Sequence, residues 1–175
     1  MRVFIGCSSI ENMAPIYKEN AVNLAKKLAK MNCDLICGGT DGMMKIFHDT
    51  FLQNNRTVTI VDVNGYFETK TTSPNIYHYD TVSERKQGFI KQADVLLFLP
   101  GGLGTLDEIF TAIESKRAKE HSKPIIILNI NNYYDDLIHQ LDKMYQERFA
   151  SIDNKEYYLN TKSIDEVIQH IRKLR

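Results

Sequence analysis

Three glycines fall within four positions at Gly101, Gly102 and Gly104, with Leu103 among them, Thr105 directly after, and a carboxylate, Glu108, close behind. Glycines let backbone amides approach a ligand without a Cβ in the way. A helix that starts there aims its unpaired N–H groups and positive dipole end at the same spot. An anion, and a phosphate in particular, fits such a place. No Lys-Ser/Thr pair follows the last glycine and the spacing is not a full G-x-G-x-x-G, which argues against an NTPase or an ordinary dinucleotide dehydrogenase. Thr105 and Glu108 also satisfy the spacing of a helix capping box, so a purely structural reading of Glu108 stands beside the chemical one.

The elements that would position these groups can be read from apolar patterning. Residues 95–99 run without a polar interruption and predict a strand buried on both faces, and residues 123–128, apolar after Lys123, predict another. Residues 2–6, 34–37 and 57–63 predict three more strands. Helices are expected from Pro15, with Ala21, Leu24, Ala25 and Leu28 on one face, and after Asp41, with Met43, Ile46, Phe47 and Phe51 together. Ser83 is read as the N-cap of a helix carrying Arg85 and Lys86, residues 133–149 as another helix, and Ser163 with Glu166 as the capping box of a last one. Residues 64–82 show no clear period and read as a long surface excursion, or alternatively a flap. Strands alternating with helices predict a single α/β domain over residues 1–175. Its core is a Rossmann-like doubly wound parallel sheet with helices on both faces. Both glycine turns and the polar turn at Ser8 then fall at one edge of the sheet, where such folds bind ligands.

Composition bounds the partners. Basic and acidic residues balance at 22 each among 175, which gives no electrostatic footprint for nucleic acid or an anionic membrane. Cys7, Cys33 and Cys37 are odd in number and lack C-x-x-C spacing, so neither a disulfide framework nor a zinc site is expected and a reducing cytoplasm is the expected setting. No signal-like apolar region or membrane-length run is visible. The five histidines show no metal-ligand spacing, and no metal is expected.

The run Pro100-Gly101-Gly102-Leu103-Gly104-Thr105-Leu106-Asp107-Glu108 resembles the PGGxGTxxE motif of the LOG ("lonely guy") family of cytokinin riboside 5′-monophosphate phosphoribohydrolases, often labelled lysine decarboxylases. Glu84-Arg85-Lys86 followed by Ala93-Asp94 is similar to that family's Arg-Lys signature. Further agreement comes from Gly6-Cys7-Ser8-Ser9, residues 38–44 and Tyr133-Tyr134. The resemblance implies Arg85 and Glu108 as catalytic residues, and Ser8, Gly39, Lys86, Gly101, Gly102, Leu103, Gly104 and Thr105 as substrate-binding residues. It further implies an N-glycosidase acting on nucleoside 5′-monophosphates, cytokinin ribosides or AMP among them, without a cofactor and as a homodimer or larger homo-oligomer. The alternative is a non-catalytic nucleotide- or molybdenum-cofactor-binding protein of the same fold.

Overall fold

Along residues 3–5 successive side chains part to opposite sides. Val3 and Ile5 enter one apolar core and Phe4 a second, the alternation that a doubly covered strand requires. The computed structural model describes residues 1–64 and 75–175. Its strands are β1 (Arg2–Gly6), β2 (Asp34–Cys37), β3 (Val58–Val63), β4 (Asn75–Tyr79), β5 (Val95–Phe98), β6 (Ile125–Leu128) and β7 (Leu159–Thr161). They form one sheet in the order β4-β3-β2-β1-β5-β6-β7, parallel at every pairing. The helices are α1 (Pro15–Lys30), α2 (Gly42–Gln53), α3 (Val82–Gln92), α4 (Leu103–Arg117), α5 (Asp135–Gln146) and α6 (Ile164–Lys173). Residues of α1, α2 and α6 close one core, and those of α3, α4 and α5 the other, where Phe4 stacks on Phe89 with ring centroids 4.3 Å apart.

The predicted architecture is the observed one, but several boundaries move for identifiable reasons. Residues 75–79, read as part of an excursion, form β4, paired with residues 59–63 of β3. An edge strand is solvated on one side, so it carries no continuous apolar run; the flap reading of the rest of that segment falls on residues 65–74, outside the described residues. β7 is a second edge strand, only three residues long, and no prediction covered it.

Three caps also differ. Helix α3 is capped by Thr81, not Ser83. The Thr81 Oγ1 accepts from the Glu84 amide at 3.1 Å while Glu84 Oε2 accepts from the Thr81 amide at 3.0 Å. Glu84 thus supplies the acid that the helix start favours, ahead of the basic pair. Helix α4 begins at Leu103 with Gly102 as its N-cap, which puts Thr105 inside the first turn and Glu108 in the second. The capping-box reading of Thr105 and Glu108 is therefore incorrect. Helix α5 spans less than residues 133–149, because a 3-10 turn at Ile130–Asn132 precedes it and Arg148, at φ 63°, ends it.

Candidate active site

The strand order reverses at β1, whose neighbours are β2 and β5, and the crevice of a doubly wound fold opens at that switch point. Backbone bonds tie its rims together. Leu99 N donates to Gly6 O at 2.9 Å, Ser8 N to Pro100 O at 3.2 Å, and Met43 N to Ser8 O at 3.0 Å. Between them lies a cleft of about 590 Å³ that takes in Ser8, Gly39, Arg85 and residues 102–105.

The N-terminus of α4 is the wall that suits an anion. No side chain caps it and no acidic residue stands in its first turn, so its leading N–H groups face the cleft with no protein acceptor supplied from a cap. A Cβ on Gly102 or Gly104 would meet nothing within 4 Å. Below the loop, Tyr133 donates its hydroxyl to Gly101 O and Tyr134 to Leu99 O, each at 2.7 Å, which holds the loop's carbonyls away from the ligand side. Burial raises the Tyr134 phenol well above its usual range, so it stays a donor.

Arg85 is buried against the second core. Its Nε donates to Val61 O at 2.9 Å, its Nη2 to Gly38 O at 2.6 Å, and the guanidinium lies 4.8 Å from the Phe89 ring centroid. A Cβ on Gly38 would come within 2.1 Å of that Nη2, so glycine is required there by the arginine. Burial pulls the Arg85 pKa down and the carboxylates of Glu108 and Asp62 push it back up.

Glu108 reaches under the end of β1, where its Oε2 would lie 2.9 Å from a Cβ on Gly6. Burial lifts its carboxyl to about 7 from the ordinary 4.5, with Arg85 opposing the rise, Asp107 adding to it and Lys86 opposing it. Glu108 does not itself line the cleft; it stands behind it, beside a small pocket that it shares with Lys86, Phe89 and Phe98. A carboxyl poised near neutrality is a group able to change protonation during a reaction.

The structure thus brings Ser8, Gly39, Arg85, Gly102, Leu103, Gly104 and Thr105 to one cleft. Gly101 lies beneath it, buried against the Thr105 side chain. Lys86 does not line the cleft; its Nζ is held by both Asp107 carboxylate oxygens at 2.7 and 2.8 Å. Ser8 Oγ accepts from Ile10 N at 3.0 Å and shapes the turn it sits in. Sequence reasoning missed Asp62, 2% exposed and electrostatically coupled to Arg85, although a single acid within the apolar run of β3 was the available signal. Met44 and Cys7 also line the cleft. Among the described residues no group of three or more His, Cys, Asp or Glu side chains could hold a metal ion, and no helix is long and apolar enough to cross a membrane.

A doubly wound sheet with an uncapped, glycine-fronted helix at its switch point places the chain among α/β proteins whose crevice opens beyond the strand ends, and sequence comparison narrows the class. The family described as possible lysine decarboxylase matches residues 44–171, and the chain belongs to that family, the LOG family. It is 30% identical over 154 residues to a rice protein, the probable cytokinin riboside 5′-monophosphate phosphoribohydrolase LOGL6, covering 86% of this chain and 62% of the relative. It is 28% identical over 172 residues to the Arabidopsis thaliana cytokinin riboside 5′-monophosphate phosphoribohydrolase LOG2, covering 96% of this chain and 81% of the relative. Among solved structures, TM1055 superposes with a TM-score of 0.74 at 21% identity, covering 98% of each chain. The Moco carrier protein of Chlamydomonas reinhardtii superposes with a TM-score of 0.72 at 17% identity, covering 99% of this chain and 96% of that one.

Proposed function

We propose that this chain hydrolyses the N-glycosidic bond of a nucleoside 5′-monophosphate, giving free base and ribose 5-phosphate. The observation that carries the reading is the uncapped α4 N-terminus, opened by Gly102 and Gly104, one helical turn from a carboxyl poised near neutrality. The names of the rice and Arabidopsis relatives support the same reaction class. In this reading the phosphate sits on the amides of residues 103–105 and the ribose extends towards Glu108. As the C1′–N bond breaks, the base leaves with the bonding pair and positive charge develops on the sugar ring. The ionised Glu108 stabilises that charge. Water then adds its oxygen to C1′, and its displaced proton balances the one taken up by the departing base. Arg85 orients the carboxylate and favours its ionised form; a guanidinium holds its protons too tightly to be the acid.

Non-catalytic binding of a nucleotide or molybdenum cofactor is the second reading, favoured by the fold shared with the Chlamydomonas carrier. Lysine decarboxylation fits less well, because the cleft lining contains no lysine to form a Schiff base among the described residues. We also place the chain in a homodimer or larger homo-oligomer. Leu103 is 86% exposed at the cleft rim and Phe149 is 84% exposed beside an apolar groove of about 760 Å³ between α4 and α5; light scattering on purified protein at micromolar concentration checks this. A panel of purified monophosphates, cytokinin riboside, adenine and pyrimidine types, scored for liberated base and ribose 5-phosphate, tests the hydrolase. Release from at least one supports it, whereas binding without release from any supports the carrier reading.

A further inference from the structure

Two residues adjacent to the proposed catalytic pair join α3 to α4. Lys86 follows Arg85 on α3, Asp107 precedes Glu108 on α4, and the two side chains meet in a two-pronged ion pair at 2.7 and 2.8 Å. The Lys86 side chain is 16% exposed and that of Asp107 52%, so the pair is shielded from solvent on its lysine side and open to it on the other. Gln87 Nε2 to Ser115 Oγ, at 3.3 Å, is the other side-chain hydrogen bond between these helices among the described residues.

We propose that Lys86 and Asp107 form a positioning strap that sets the separation of Arg85 and Glu108, and that Lys86 serves this strap and not the substrate phosphate. Its catalytic meaning rests on the hydrolase reading above; its existence does not. Geometry argues against Lys86 as a phosphate ligand, since its ammonium is occupied by two carboxylate oxygens and it stands outside the cleft lining. Its charges nonetheless reach Glu108. The charged groups that act on that carboxyl are Arg85 and Lys86 from α3 and Asp107 from α4, while Cys7 beyond β1 and Tyr134 before α5 are near enough for Glu108 to raise their own pKa values. Arg85 and Lys86 favour the ionised form and Asp107 opposes it.

The charges of the two halves shift Glu108 in opposite directions, and the strap itself is read from the variant that removes both. In protein carrying ¹³C-labelled glutamate, with the Glu108 carboxyl resonance assigned by its loss in Glu108→Gln, Asp107→Asn lowers the Glu108 titration midpoint by about half a pH unit or more. Lys86→Met raises it by a similar amount, as expected for removing one nearby charge of either sign. The double variant, in which the two charge effects cancel but the strap is absent, keeps the midpoint about half a pH unit above the wild-type value, because Arg85 is no longer held beside Glu108. Gln87→Met, which removes the other inter-helix bond, leaves the midpoint unchanged. Calorimetric titration with inorganic phosphate gives the second arm. Lys86→Met keeps the wild-type affinity, whereas loss of a direct phosphate ligand would cost about tenfold. A double variant that titrates at the wild-type midpoint would overturn the strap in favour of a pure charge effect, and an equal movement in Gln87→Met would overturn it in favour of simple loosening. A tenfold loss of phosphate affinity in Lys86→Met would overturn it in favour of direct binding. Because neither readout needs turnover, a protein that releases no base would defeat the hydrolase reading and leave the strap to be judged on its own.

Discussion

The two glycine turns that face each other across the cleft use glycine for different reasons. In the turn after β2, the space is taken by the protein itself. A Cβ on Gly38 would strike the Arg85 guanidinium, and one on Gly42, at φ +54°, would lie 2.4 Å from the Ser9 carbonyl carbon. In the turn after β5, Gly101 is packed on Thr105, but Gly102 and Gly104 face open space. Gly104, in the first turn of α4, costs stability relative to alanine, and neither it nor the N-cap Gly102 is crowded by any protein atom that would exclude a side chain. One turn shapes the machinery, and the other leaves room for something that is not part of the chain.

Substitutions sharpen or break that contrast. The largest effect is expected on turnover from Glu108→Gln, which should cut base release by about a hundredfold or more, the scale of removing one charge-stabilising group, while monophosphate binding survives. Assays of liberated base beside calorimetric binding check it. Gly38→Ala should lower stability by about 2 kcal/mol or more by forcing the buried arginine out of place, measured by denaturant unfolding, and should abolish turnover with it. Gly104→Ala should do the reverse, raising stability by up to about 1 kcal/mol while weakening monophosphate binding. Equal destabilisation by the two alanines would break the comparison.

The smallest effect is a pH dependence. The folded protein holds the Glu108 proton up to about 7, above the ordinary 4.5, so between those values the folded state binds more protons than the unfolded chain and stability falls as pH rises. That cost is fully present above about pH 7. Glu108→Gln removes it, and its gain in melting temperature should be larger at pH 8 than at pH 5.

Much of this was legible in the residues. The central strands announce themselves because burial on both faces demands unbroken apolar runs, as in residues 95–98 and 125–128. The edge strands β4 and β7 do not, since one side of each meets solvent or loop and polar residues such as Asn75, His78 and Asn160 are tolerated. The anion loop was visible as a glycine spacing, but spacing alone could not separate a capping box at Thr105 from a helix already begun at Leu103. Nor could it reveal that Lys86 turns to Asp107, because that contact depends on how α3 and α4 pack side by side on one face of the sheet. Long-range pairs of this kind are written in tertiary placement rather than in local pattern.

The central claim is that an anion held at the start of α4 brings a sugar to Glu108. A crystal structure of the Glu108→Gln protein with AMP tests it most directly. The account predicts the phosphate within hydrogen-bonding distance of the amides of residues 103–105 and C1′ directed at the side chain of residue 108. A nucleotide bound elsewhere, or with its ribose facing bulk solvent away from that side chain, would contradict it.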